Sequence, residues 1–124
     1  MTQRYSLETL EFQTIRDRLM GLLETPLGRT GIEALGPFSD AASANRSLRQ
    51  VAELAERLAA DPLLPLPSLN DIRGWLPGFF QGDYLPSISD LVDLKRLLGA
   101  TVACRGWLTG GARFQALAEL ATGF

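Results

Sequence analysis

The chain has no histidine, one cysteine and one lysine in 124 residues. Imidazole is the commonest general base and metal ligand, so its absence removes most hydrolase and zinc-site readings. Cys104 is alone and can form no intrachain disulfide; in a predicted helix it reads as a small buried hydrophobe. A glycine-rich phosphate loop is missing, since Lys95 follows Asp93-Leu94 rather than a glycine. No apolar run approaches the ~18 residues of a membrane span. The opening Met1-Thr2-Gln3-Arg4-Tyr5 lacks the apolar core of a signal peptide. A cytoplasmic, reducing location with no membrane partner is therefore expected. Twelve basic and fourteen acidic residues give a net charge of −2. With no basic cluster, that balance supplies no generic pull toward nucleic acid. The excess of arginine over lysine reads as a coding bias.

What is present is apolar residue at helical spacing. The 46% apolar content is enough for a core. Phe12, Ile15, Leu19, Leu22 and Leu23 make one stripe, predicting a first helix capped by Ser6 and running to about Leu23. Thr25-Pro26 then reads as cap and first position of a second helix, Pro26 to Leu35, stopped by Gly36-Pro37. Gly28 and Gly31 inside so short a helix suggest close approach of another backbone. Ser39 or Asp40 caps a third helix, with Leu48, Val51, Ala55 and Leu58 inward. Its outer face holds Arg46, Arg49, Glu53, Glu56 and Arg57, and Glu53–Arg57 is a favourable four-residue pair.

A proline-rich connector, residues 61–68, cannot be helix interior and reads as an extended span between helices. Ser68 and Asp71 resemble a capping box opening a helix at Leu69, which Pro77 and Gly78 should end or kink. Ser87-Ile88-Ser89-Asp90 opens a long helix with Ile88, Leu91, Leu94, Leu98, Thr101 and Val102 on one side. Trp107 to Gly111 breaks it, and a last helix, Ala112 to Ala121, presents Phe114, Leu117, Ala118 and Ala121. Strands are not expected beyond a short extended piece at Tyr84-Leu85. The prediction is an all-α fold, an irregular bundle of about five or six helices, as a single domain or as part of a larger one.

The remaining chemistry is thin. Glu8 with Glu11, and Asp90 with Asp93, are spaced to share a proton or a metal if buried, but they sit near helix starts, where acids favour the dipole. Asp71 and Arg73 are two apart and do not face each other on a helix. Trp75, Phe79, Phe80 and Tyr84 could stack on bases, yet only Arg73 lies close as a cation. Core packing or a protein contact fits them better. The candidate contact surface is these four aromatics together with Phe114 and Leu117 of the last helix. No catalytic, cofactor-binding or metal-binding residue is expected.

The run Leu10-Glu11-Phe12, Ile15, Thr25-Pro26-Leu27-Gly28, Leu35, Pro37 and Asp40 resembles the opening of the helical core domain of MutS-type ATPases. The second bacterial type, MutS-two, begins directly with that core and is the most similar branch. Leu69-x-Asp71-Ile72-Arg73, with Leu76, Gly82 and Leu85, resembles the next block of that region. Ser89-Asp90-Leu91-x-x-Leu94-x-x-Leu97 and Leu117-Ala118-Glu119-Leu120 resemble the helices that follow. The resemblance implies an N-terminal helical core fragment of a dimeric, DNA-binding ATPase that clamps branched or ribosome-associated nucleic acid and restrains recombination. It makes Thr25, Pro26, Leu27, Gly28, Leu35, Pro37, Asp71, Ile72 and Arg73 structural residues. ATP and magnesium are implied for the parent only; no ATP-binding or nuclease residue transfers to this chain. The implied partners are the remaining MutS-like domains or a second copy, with nucleic acid reached through the parent. The alternative is a stand-alone helical module whose aromatic loop binds a protein.

Overall fold

A computed structural model describes residues 10–123. Ser6, expected to cap the first helix, and Glu8 lie outside the described residues. The chain divides into two compact units, one of Met1–Pro37 with Ser68–Asp71, the other of Phe38–Pro67 with Ile72–Phe124. Among the described residues every regular element is helical and none is a strand, so the all-α expectation is met.

In the first unit, α1 spans Phe12–Gly21, a 3-10 turn spans Pro26–Gly28, and α2 spans Arg29–Glu33. α1 starts after Glu11, whose left-handed φ of 52° interrupts the helical path. It ends at Gly21 rather than Leu23. Pro26 takes the first position of the next element as expected, but the Thr25 side chain makes no cap bond. Its extended backbone turns the chain, and its carbonyl accepts the Gly28 amide at 3.3 Å. The predicted helix from Pro26 to Leu35 is thus a 3-10 turn followed by a short α-helix. Its far end is held by Arg16 of α1, which donates to the Leu35 carbonyl through Nε at 3.0 Å and also through Nη2. The same guanidinium lies 5.1 Å over the Phe12 ring. A Cβ on Gly28 would meet Leu23 Cδ2 at 2.6 Å, whereas Gly31 has nothing within 4 Å. The expected close backbone crossing reduces to one side chain folded against Gly28. Ile15, Leu19 and Leu22 stay exposed, so the α1 stripe is largely uncovered.

The second unit holds α3 (Ala41–Ala60), α4 (Leu76–Gln81), α5 (Ile88–Thr109) and α6 (Gln115–Ala121). Asp40 caps α3, its carboxylate accepting the Ser43 amide and hydroxyl, each at 2.8 Å. Those bonds, the amide first, hold the Asp40 carboxyl below its ordinary value. α6 packs on both α3 and α5. Between them lie Trp107, Leu108, Phe114, Leu117 and Ala121, with Leu54, Leu58 and Leu64 against them. Leu117 is 0% exposed. Full burial of such a side chain is worth about 1.5–3 kcal/mol.

Two helix faces differ from the sequence expectation. On α3, Leu58 faces the core with Leu54, but Leu48 and Val51 are each 66% exposed and Ala55 also faces out. On α5, Ile88, Leu91, Leu98 and Val102 face out, and Ala100, Cys104, Trp107 and Leu108 face in. Both sides of each helix carry apolar residues, so periodicity finds two stripes and cannot rank them. The small Ala100 and Cys104 let the proline-rich segment lie close to α5, and the Cys104 thiol donates to the Pro65 carbonyl at 3.2 Å. Burial raises that thiol's pKa. Trp107 does not break the helix, which runs on to Thr109. The last helix begins at Gln115 rather than Ala112.

Residues 61–72 form no regular structure, and the Leu66 amide bonded to the Leu64 carbonyl at 2.8 Å makes a tight turn within them. Ser68 and Asp71 therefore cap no helix at Leu69. Pro77 lies in the first turn of α4 and so helps to start a helix instead of ending one. No helix of the described residues is long and apolar enough to cross a membrane.

Candidate contact surface

The aromatic segment between residues 72 and 90 is built by two turns and one carboxylate. The Ile72 carbonyl accepts the Trp75 amide at 3.3 Å and the Leu76 amide at 3.1 Å, launching α4. Gly82, at φ 82°, ends it in the left-handed conformation that favours glycine. The Gly78 carbonyl then accepts the Asp83 amide at 2.9 Å and the Tyr84 amide at 3.2 Å, folding the chain back. A Cβ on Gly78 would sit 3.1 Å from Tyr84 Cβ, so the absence of a side chain there makes room for the return.

That return places the Tyr84 ring on Trp75, with centroids 5.7 Å apart and planes at 27°. Tyr84 donates its hydroxyl to Asp90 Oδ2 at 2.8 Å. The same oxygen accepts the Ser87 amide and hydroxyl, also at 2.8 Å, and the Asp90 amide is bonded to Ser87 Oγ at 3.2 Å. The capping box expected from Ser87-x-x-Asp90 is thus formed and extended by a phenol. The Ser87 amide, then its hydroxyl, then Tyr84 hold the Asp90 carboxyl below its usual value. Asp90 in turn raises the Tyr84 phenol above 10.0. Asp90 is therefore a capping acid. Its sequence neighbour Asp93 lies 3.9 Å from Arg96. Among the described residues no cluster of three or more metal-ligating side chains occurs.

The outer side of this turn is apolar. Phe79 and Phe80 meet edge to face at 5.5 Å. Phe80 is 78% exposed and Leu85 92% exposed. Trp75 and Tyr84 brace the turn while Phe80 and Leu85 face water. Phe114 and Leu117, grouped with these aromatics by sequence, are buried in the core instead and are not free for contact. Of the family-motif residues, Ile72 is buried, Pro26 begins its turn, and the Leu35 carbonyl receives Arg16.

Three polar contributions were not evident in the sequence. Glu53 does not pair with Arg57; its Oε2 accepts the Leu117 amide at 2.9 Å and so caps α6 from α3. Arg57 instead lies 3.5 Å from Asp61 and 4.9 Å over the Trp107 ring, whose Nε1 donates to Asp61 Oδ2 at 3.0 Å. Arg113 pairs with Glu56 at 2.8 Å. The Arg57–Asp61 pair has helical four-residue spacing, but the others join residues distant in sequence, which only the packing of the second unit brings together.

Part of the chain is similar to bacterial proteins named Endonuclease MutS2. It is 31% identical to that of Streptococcus gordonii over 93 residues, 74% of this chain and 12% of the relative. It is 32% identical to that of Ligilactobacillus salivarius over 95 residues, 77% of this chain and 12% of the relative. With that of Lacticaseibacillus casei it shares 29% identity over 103 residues, 83% of this chain and 13% of the relative. The match thus spans about one eighth of the length of these relatives. This similarity supports a MutS-family relationship. No protein-family model and no solved structure matches the chain.

Proposed function

We propose that this chain is a non-catalytic helical core element of a MutS-like, DNA-binding ATPase, most like MutS-two, whose parent acts in DNA repair, recombination control or ribosome-associated quality control. The similarity to Endonuclease MutS2 over some three quarters of the chain carries the reading. In this role the chain contributes packing surfaces, while ATP, magnesium and nucleic acid are engaged by the parent. Its partners are other MutS-like domains or a second copy, met through apolar contact. The exposed Phe80 and Leu85 supply such a surface.

The exposed aromatic turn also favours a second reading, a stand-alone module that binds a partner protein through Phe79 and Phe80. A reading frame continuing past Phe124 decides for the core element; a stop codon there decides for the module.

Titration of the chain with ATP and magnesium, and with branched DNA at low and high salt, tests the functional reading. The expected result is no nucleotide binding and weak DNA binding that salt abolishes. Saturable nucleotide binding would overturn the non-catalytic role. Tight DNA binding by a strict monomer would make the chain a DNA-contacting module.

A further inference from the structure

The side of α3 turned away from Leu54 and Leu58 is uncovered. Ala41, Asn45, Leu48, Ala52, Ala55 and Ala59 are all exposed and recur at alternating spacings of four and three residues. That is the repeat of a helix seam made to pack on another helix. Val51, 66% exposed, widens the apolar stripe along one edge. Arg49 and Glu56 stand seven residues apart along the other edge, both exposed. An open hollow of about 510 Å³ on this side is lined by Asn45, Leu48, Arg49 and Ala52. Arg49 has no ion-pair or hydrogen-bond partner among the described residues. Glu56 meets Arg113 through Oε1 at 2.8 Å, and its Oε2 is without a bond among the described residues.

Resting on the reading that a second copy is among the partners, we propose that this face of α3 pairs with the same face of that copy. The two helices run antiparallel, and Arg49 of each reaches Glu56 of the other. The contact is separate from the turn that carries Phe80 and Leu85. Charge sets the direction. A parallel pair puts Arg49 beside Ala44 and Glu56 beside Val51 of the other copy, so neither charge is met. An antiparallel pair brings like edges together. Helical side chains lean toward their own N-terminus, so Arg49 and Glu56 of opposite copies lean toward each other. The same pair sets the register. It places Leu48 across from Ala52, Asn45 across from Ala55 and Ala41 across from Ala59, so every seam position is used and the one leucine meets a small residue. A slip of one heptad either way sets Arg49 against Arg49 or Glu56 against Glu56.

The test is sedimentation equilibrium of the intact chain, joined to cysteine cross-linking. The chain should dimerise, more weakly at high salt than at low. Arg49→Glu sets glutamate against Glu56 of the other copy and should raise the dissociation constant by about tenfold, as should Glu56→Arg. The double exchange should recover most of the loss, because the swapped charges still match. All these sites are exposed, so the fold is kept. Cross-linking reads the register. Chains carrying Asn45→Cys and chains carrying Ala55→Cys should join when mixed and oxidised, while neither joins to itself; the buried Cys104 stays out of the reaction. Asn45→Cys joined to itself overturns the antiparallel seam. Self-association that neither salt nor Arg49→Glu moves overturns the α3 contact yet keeps a second copy as partner through another face. A monomer at every concentration overturns both.

Discussion

Glu53 on α3 accepts the backbone amide of Leu117 on α6 at 2.9 Å, so the acid that caps one helix belongs to another. Leu117 is at the same time the most buried side chain of the core. Polar cap and apolar packing therefore hold the same residue from two directions, and seven-residue α6 is too short to be stable without them.

Glu53→Ala removes the acceptor and leaves a first-turn amide without its partner. Loss of such a cap costs about 0.5–2 kcal/mol. Urea denaturation followed by circular dichroism should show a lower midpoint, and Glu53→Gln, which keeps an acceptor oxygen, should recover part of it. An unchanged midpoint in Glu53→Ala would show that the cap is dispensable.

Leu117→Ala tests the apolar half. Truncation of a buried leucine costs about 2–5 kcal/mol through lost burial and the cavity left behind. The thermal midpoint should fall further than for Glu53→Ala. The two effects should not add, because both mutations loosen one residue.

Asp61→Ala leaves the part-buried Trp107 Nε1–H without its acceptor. Stranding such a donor costs about 1–3 kcal/mol. Asp61→Asn keeps an oxygen for the indole and should cost less, although it loses the charge facing Arg57. Equal urea midpoints for the two variants would assign the effect to Arg57 instead.

Acid should loosen the start of α5. The Asp90 carboxyl is held below its ordinary value in the fold, so its contribution is present above the unfolded pKa near 3.8 and is lost as pH falls through the lower folded value. Asp40 acts in the same sense for α3. Helix content should decline below about pH 4, less steeply in Asp90→Asn, which no longer titrates there. Tyr84 gives the opposite limb. Its raised pKa means a contribution present below 10.0 that is lost as pH rises through the higher folded value. In a Tyr5→Phe background the phenol titration should move back toward 10.0 on Asp90→Asn; no movement would show that the bond to Asp90 is absent in solution.

Phe80→Asp should leave helix content unchanged and weaken the proposed self-association. The side chain is 78% exposed and the turn is braced elsewhere by the stack of Trp75 and Tyr84. Sedimentation at several concentrations measures the effect, and it should depend little on salt, as apolar contact does. Self-association undiminished in Phe80→Asp would place the proposed contact on another face.

The sequence is legible where the chemistry is local. Asp40 and the Ser87–Asp90 box start their helices as capping chemistry dictates, and residues 62–67, three of them prolines without an amide donor, form no helix. Pro77 opens α4 rather than ending a helix, because a proline suits either place and only the absence of a helix at Leu69 decides between them. The inward faces of α3 and α5 were not legible: each helix is apolar on two sides, and the choice rests on where α6 docks. The same docking turns Phe114 and Leu117 from candidate surface into core and recruits Glu53 as a cap. Of the candidate surface, Phe79 and Phe80 remain outward, while Trp75 and Tyr84 serve partly as bracing.

The two tryptophans occupy separate structural regimes. Trp75 is stacked on Tyr84 in the aromatic turn, and Trp107 is enclosed in the core with its indole nitrogen on Asp61. Intrinsic emission can therefore be divided by substitution. With Trp75→Phe, light from Trp107 reports the melting of the helical core; with Trp107→Phe, light from Trp75 reports events at the turn, including the arrival of a partner. The chain carries its own pair of optical probes, one for folding and one for contact.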